Sequence, residues 1–240
     1  MSAFLLFPMH GRCGSNLVAA NLEPLFRQSD LELWKPRLIR RARSWGVNAD
    51  PITDPVGYLR GYCERGNLVG GKLFPSDVVR LRGGDWGDGD VAVCREALAG
   101  CDGAIFMYRE NLTEQFVSLQ VACRDGHWAP QRTVSACEPF AVDIDAAIAE
   151  IECAIGLFVK CLDAAPRSLV LRYEQLDTAS INKARKFVGL EPVDEMSSPF
   201  VKKRSEQLYR QVLTNYDEVN ERMGARYGVL FGEAGTRWEE

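Results

Sequence analysis

The sequence is poor in the residues that build metal centres and membrane spans. Only His10 and His127 supply imidazoles, and the eight cysteines contain no Cys-x-x-Cys pair and no Cys/His cluster. That spacing gives no zinc-type ligand set, so no metal is expected and the thiols read as reduced and mostly buried. The nearest approach to a membrane span, Ala146 to Leu162, is interrupted by Glu150, Glu152 and Lys160. A span needs roughly 18 or more unbroken apolar residues, so no integral membrane segment is expected. Met1 to Met9 lacks a basic region and a small-residue cleavage site, which predicts no signal peptide and a cytoplasmic location. The triphosphatase signature GxxxxGK(S/T) is absent too, which argues against ATP or GTP hydrolysis. Neither sign of charge dominates: 29 basic side chains face 33 acidic ones for a net charge of -4. A mildly acidic chain exerts no global attraction on nucleic acid, and no such partner is expected.

What is present is the composition of one globular domain, 240 residues with 46 % hydrophobic side chains. A chain of that size buries roughly three quarters of its unfolded surface in one core, so residues 1–240 are read as a single domain. Short apolar runs alternate with stretches of helical period. Ala3 to Phe7, Leu68 to Phe74, Ala104 to Tyr108 and Ser168 to Arg172 read as buried strands. Helical patterns cover about Ser15 to Arg27, Pro55 to Arg65, Leu112 to Asp125, Asp143 to Leu162, Ala179 to Val188 and Val201 to Met223. The alternation predicts an α/β fold, a three-layer αβα arrangement around a mainly parallel sheet. Gly83 to Asp90 reads as an exposed loop, and no internal repeat is present.

The chemistry concentrates in two segments. In FLLFPMHGRCGSNLVAANL, Phe4 to Leu22, a strand ends at Pro8 and a glycine-rich turn leads directly into a helix. Such a turn is a phosphate cradle, because Gly11 and Gly14 let the backbone approach an anion and the opening helix turn offers unpaired N–H groups. Arg12 adds a full charge, and Cys13, Gly14, Ser15 and Asn16 complete the P-loop-like turn. The plainer account is a helix capped by Ser15. In AIFMYRENLTEQFVSLQVACRDGHW, Ala104 to Trp128, a strand delivers Arg109 at its end and Ser118 follows nine residues later. From a helix start near Asn111, about two turns return Ser118 to the face where the helix begins, so Arg109 and Ser118 are placed to grip one anion. The plainer account makes Arg109 a strand end and Ser118 a small residue in a helix contact.

Taken in order, Arg-x-Gly-Ser after the first strand, then Arg-Glu-Asn-Leu, Phe-Val-Ser-Leu and a later Gly-x-Trp resemble the sulfotransferases that use 3′-phosphoadenosine 5′-phosphosulfate. The closest likeness is to the bacterial branch that includes the trehalose 2-sulfotransferase group. SLVLRYEQL at Ser168 to Leu176 is similar to that family's strand and Tyr-Glu-x-Leu, and KKRSEQLYRQVLTNYDEV at Lys202 to Val219 to its C-terminal basic loop and helix. The resemblance implies that residues 12 to 16 hold the 5′-phosphosulfate, that Arg109 and Ser118 hold the 3′-phosphate, and that Lys202 and Lys203 close over it. The spacing of Arg109 and Ser118 is one residue longer than in the cytosolic enzymes of the family. The implied donor is 3′-phosphoadenosine 5′-phosphosulfate, its product 3′,5′-adenosine bisphosphate, and the acceptor a small molecule or glycan, with no metal.

In-line sulfuryl transfer needs a cation for the departing phosphate and a base for the acceptor hydroxyl. Arg12 is the cation. The family comparison points to Glu32 as base, although Ser29, Asp30 and Leu31 replace the usual preceding context. His10 is the rival, since imidazole is the side chain suited to general-base work near neutral pH, while Glu23 and His127 are outsiders. Lys72, after two glycines on a strand, projects either into the cleft or to water. KPRLIRRAR, Lys35 to Arg43, reads as a solvated amphipathic helix, with steering of an acidic acceptor as the alternative. Trp34, Trp45, Trp86 and Trp128 are mainly packing residues, with stacking on adenine or an apolar acceptor as the alternative. Two further functions compete: a nucleotide or small-molecule kinase with a degenerate phosphate loop, and a non-catalytic nucleotide-binding module.

Overall fold

The computed structural model describes residues 3–23, 32–67, 69–83, 87–125, 138–197 and 206–227. Lys202, Lys203, His127, Trp86 and Trp128 lie outside them. Among the described residues, β1 (Phe4–Pro8), β2 (Gly70–Lys72), β3 (Gly103–Tyr108) and β4 (Ser168–Arg172) form a parallel sheet in the order β2-β1-β3-β4. The helices are α1 (Ser15–Asn21), α2 (Pro36–Ser44), α3 (Pro55–Gly66), α4 (Pro75–Arg82) and α5 (Asp88–Ala99) in the first half of the chain. In the second half they are α6 (Leu112–Asp125), α7 (Ile144–Cys161), α8 (Thr178–Phe187), α9 (Glu206–Val212) and α10 (Tyr216–Tyr227).

Parallel strands covered on both faces are apolar on both faces, and β1 and β3 are buried throughout. Their side chains divide by alternation. Phe4 and Leu6 of β1, with Ile105 and Met107 of β3, join Val18 and Ala19 of α1 and Ile181 and Ala184 of α8 in one core. Leu5 and Phe7, with Ala104 and Phe106, face the larger core built from α2, α3, α5, α6, α7 and α10. Phe7, Phe106 and Phe158 of α7 anchor that core by edge and stacked contacts at 5.3 to 6.0 Å. The result is the three-layer αβα sandwich that the alternation of strands and helices predicts. Among the described residues no helix is long and apolar enough to cross a membrane.

Several expectations need correction. The first helix ends at Asn21 instead of Arg27, because Glu23 precedes Pro24 and a pre-proline residue disfavours the helical region. Ser15 is its first helical residue, and Gly14 occupies the cap with no side-chain hydrogen bond. The pattern over Val201 to Met223 divides within its described part, since Leu213 leaves the helix to bridge Phe140. α4 and α5 do not follow from periodicity, yet both are locally encoded. Pro75 sits at the first turn of α4, where its missing N–H costs nothing, and Gly83 ends it in the left-handed region. Asp90 accepts from the Gly87 amide at 2.8 Å to start α5 inside the stretch read as a loop. The basic segment from Lys35 does form an amphipathic helix, α2, with Leu38, Ile39 and Ala42 buried.

Candidate functional site: a cleft at the strand-order switch

From β1 the chain crosses to β2 on one side, then to β3 on the other. The carboxyl ends of β1 and β3 therefore flank the point where strand order reverses, where crossover connections leave in opposite directions and open a crevice. The glycine-rich turn after β1 and the Arg109 turn after β3 both sit there.

The turn after β1 is held from two sides. α6 grips it at three points: Gln115 Nε2 donates to the Gly11 carbonyl at 2.8 Å, a Cβ on Gly11 would lie 3.1 Å from Leu119, and Arg12 Nε donates to Ser118 Oγ at 3.0 Å. On the other side a 3₁₀ turn, Tyr173–Gln175, packs against Gly14, where a Cβ would lie 2.7 Å from the Tyr173 ring and 2.8 Å from Leu176. Gly14 also has φ of 80°, so only glycine meets both the conformation and the space. Arg12 has φ of 68°, uncommon for a side-chain-bearing residue. Such strain persists where surrounding contacts over-determine it, which is typical of ligand clamps. Arg12 itself is exposed at the mouth.

Beneath the turn lies Lys72, last residue of β2 and only 1 % exposed. Its Nζ donates to Asn16 Oδ1 in the first turn of α1. Burial lowers its pKa to about 8, against the opposing pull of Glu32. Cys13, fully buried in the turn, has its thiol pushed up to about 11 by desolvation, which makes it a packing residue rather than a nucleophile.

Glu32 forms a parallel bridge to Lys72, and the Leu33 amide donates to the Lys72 carbonyl at 3.3 Å. A Cβ on Gly71 would lie 2.4 Å from Leu33, so the close approach of this segment to β2 depends on that glycine. The Glu32 carboxylate pairs with Lys35. His10 lies at the end of β1 and contacts Glu150 of α7 through Nε2 at 3.0 Å. Its ring borders a small apolar cavity with Met9, Leu112, Gln115, Phe116, Ile151 and Ala154. Glu23 is exposed just after α1.

Arg109 is buried at the end of β3, stacked over Tyr173 at 4.7 Å and paired with Glu114 of α6. Its Nε is 3.6 Å from Glu174 and has no hydrogen-bond partner. Glu114 and Ser118 are four residues apart on α6, hence on one face and about 6 Å apart along its axis. The Arg109–Glu114 and Arg12–Ser118 contacts are thus side by side.

The structure therefore brings Arg12, Gly14, Ser15, Asn16, Lys72, Arg109 and Ser118 to one edge of the sheet, with Glu32 and His10 flanking. Trp34 and Trp45 are packing residues, the Trp34 indole donating to the Pro51 carbonyl at 3.1 Å and Trp45 lying 5.3 Å from Tyr62. Sequence reasoning missed Gln115 and the carboxylate partners Glu114 and Glu150, and it marked Tyr173 and Glu174 only as part of the family-like Tyr-Glu-x-Leu, without their contacts to Gly14 and Arg109. Only Glu114, five residues after Arg109, carries a local signal; the others act through contacts far apart in sequence. No family model, curated protein or solved structure matches the chain.

Proposed function

We propose that the chain is a sulfotransferase, moving the sulfuryl group of 3′-phosphoadenosine 5′-phosphosulfate to a hydroxyl or amine of a small molecule or glycan. The observation that carries this reading is the Arg12–Ser118 hydrogen bond, which joins the two sequence blocks of the resemblance at one cleft. The residues suit an anionic nucleotide. A glycine whose place no larger residue fits leaves the backbone open to an anion, and the exposed Arg12 and the buried lysine beneath the turn supply positive charge.

The donor supplies the activated sulfuryl group, and the chain supplies positioning and charge. Arg12 neutralises the phosphate that departs. Lys72, held by Asn16, stays protonated once an anion lies above it, because a nearby negative charge raises the pKa that burial has lowered. The acceptor proton passes to Glu32 or to His10, each beside the cleft, the first paired with Lys35 and the second oriented by Glu150.

The test is thermal denaturation with nucleotides. 3′,5′-Adenosine bisphosphate should raise the midpoint without any metal, through an added stability of about 2.7 kcal/mol at a hundredfold excess over Kd. Stabilisation by ATP with magnesium alone would instead favour a kinase, and bisphosphate binding with no turnover across a broad acceptor panel a binding module.

A further inference from the structure

Arg109 meets two carboxylates of unequal standing. Glu174 is fixed, since its oxygens also accept the backbone amides of Glu110 and Asn111 at 3.2 and 3.4 Å. Glu114 is exchangeable: its carboxylate, in the first turn of α6 and exposed to the same degree as that of Glu174, meets Arg109 and no backbone amide among the described residues, so it can swing to water. Arg109 itself cannot follow. It is 2 % exposed, stacked on Tyr173, and Tyr173 in turn packs on Gly14 of the anion turn. One buried guanidinium lies between two carboxylates, of which Glu174 also acts on Arg172, and its Nε has no hydrogen-bond partner. A phosphate reaching Arg109 is repelled while Glu114 remains and finds free donors once it leaves.

We propose that Glu114 is a specificity-determining residue, an exchangeable counter-ion that occupies Arg109 until a second phosphate replaces it and so tempers the preference for nucleotides with a 3′-phosphate. This rests on the sulfotransferase reading above. Its neighbour one turn on, Ser118, already carries the Arg12 contact, so exchange at Glu114 opens a path between the two arginines along one helix face.

The test is calorimetric titration of wild-type protein and Glu114→Gln with 3′,5′-adenosine bisphosphate and with adenosine 5′-monophosphate. The variant should bind the bisphosphate about fivefold more tightly or better, the size of one partly exposed ion pair that no longer has to be broken. Affinity for the monophosphate should stay within about twofold, since that ligand lacks the competing phosphate. Glu114→Ala, which removes the amide as well, should show the same selectivity change and guards against a new contact made by glutamine. An equal gain for both nucleotides, or weaker bisphosphate binding in both variants, overturns the role of Glu114. Wild-type protein that binds neither nucleotide overturns the sulfotransferase reading itself, and this inference with it.

Discussion

Lys72→Met should make the protein more stable and, on the proposed function, less able to bind 3′,5′-adenosine bisphosphate. The lysine is buried beneath the anion turn, and desolvation brings its pKa from an ordinary 10.5 to about 8. The folded state therefore holds this proton less tightly than the unfolded chain, which costs about 3 kcal/mol wherever both states are charged. Below pH 8 the whole cost is present; between pH 8 and about 10.5 the folded lysine loses its proton first and the cost fades. Methionine fills similar volume without charge, and the Asn16 carbonyl that loses its donor is exposed enough to find water. The net gain at pH 7 should be about 2 kcal/mol, or roughly 4–8 °C in melting temperature for a domain of this size. The advantage should shrink towards zero near pH 10.5, while the stabilisation by 3′,5′-adenosine bisphosphate is lost at every pH. Calorimetric melting from pH 7 to 10.5, with and without the bisphosphate, measures both effects. A variant less stable than wild type at pH 7, or an advantage that does not change with pH, would refute the argument that the lysine is held charged at a cost.

Asp77, buried in the first turn of α4 with Oδ2 unpartnered, has its carboxyl raised to about 6 by burial. The folded state binds that proton more tightly, so stability is lost as pH rises from about 4 through 6, and Asp77→Asn should restore about 1–2 kcal/mol at pH 7 but nothing at pH 4. Gly14→Ala forces φ of 80° and a Cβ 2.7 Å from Tyr173 on the turn, and should cost about 1–3 kcal/mol in denaturant unfolding together with bisphosphate binding. Glu32→Gln should abolish turnover and spare bisphosphate affinity; full turnover in that variant, with loss in His10→Gln, transfers the role of base to His10.

The central strands were legible because residues buried on both faces of a parallel sheet must be apolar, whatever they touch; β1 and β3, and with them the half-exposed edge strand β4, lie within a residue of their expected bounds. Of the expected Leu68 to Phe74, Leu68 lies outside the described residues and β2 covers only Gly70–Lys72, the three positions that pair with β1. The glycine turn was legible for the same kind of reason: φ of 80° at Gly14 is a local demand that only glycine meets cheaply. α4 and α5 were not, since proline and glycine mark both loops and helix ends, and only the caps at Pro75, Gly83 and Asp90 tell these apart. The amphipathic pattern of Lys35 to Arg43 was plain, but its neighbours were not.

Sequence alone determined which segments are strands and where the glycine turn after β1 lies, because these follow from local backbone rules and from burial. Tertiary structure decided their company. That Lys72 lies under Asn16, that Arg12 reaches Ser118, and that Arg109 meets Glu174 depends on the strand order β2-β1-β3-β4, which places residues far apart in the chain, 106 positions for Arg12 and Ser118, side by side at the sheet's carboxyl edge. Charge acts through space, so its balance at the cleft exists only once the sheet has formed.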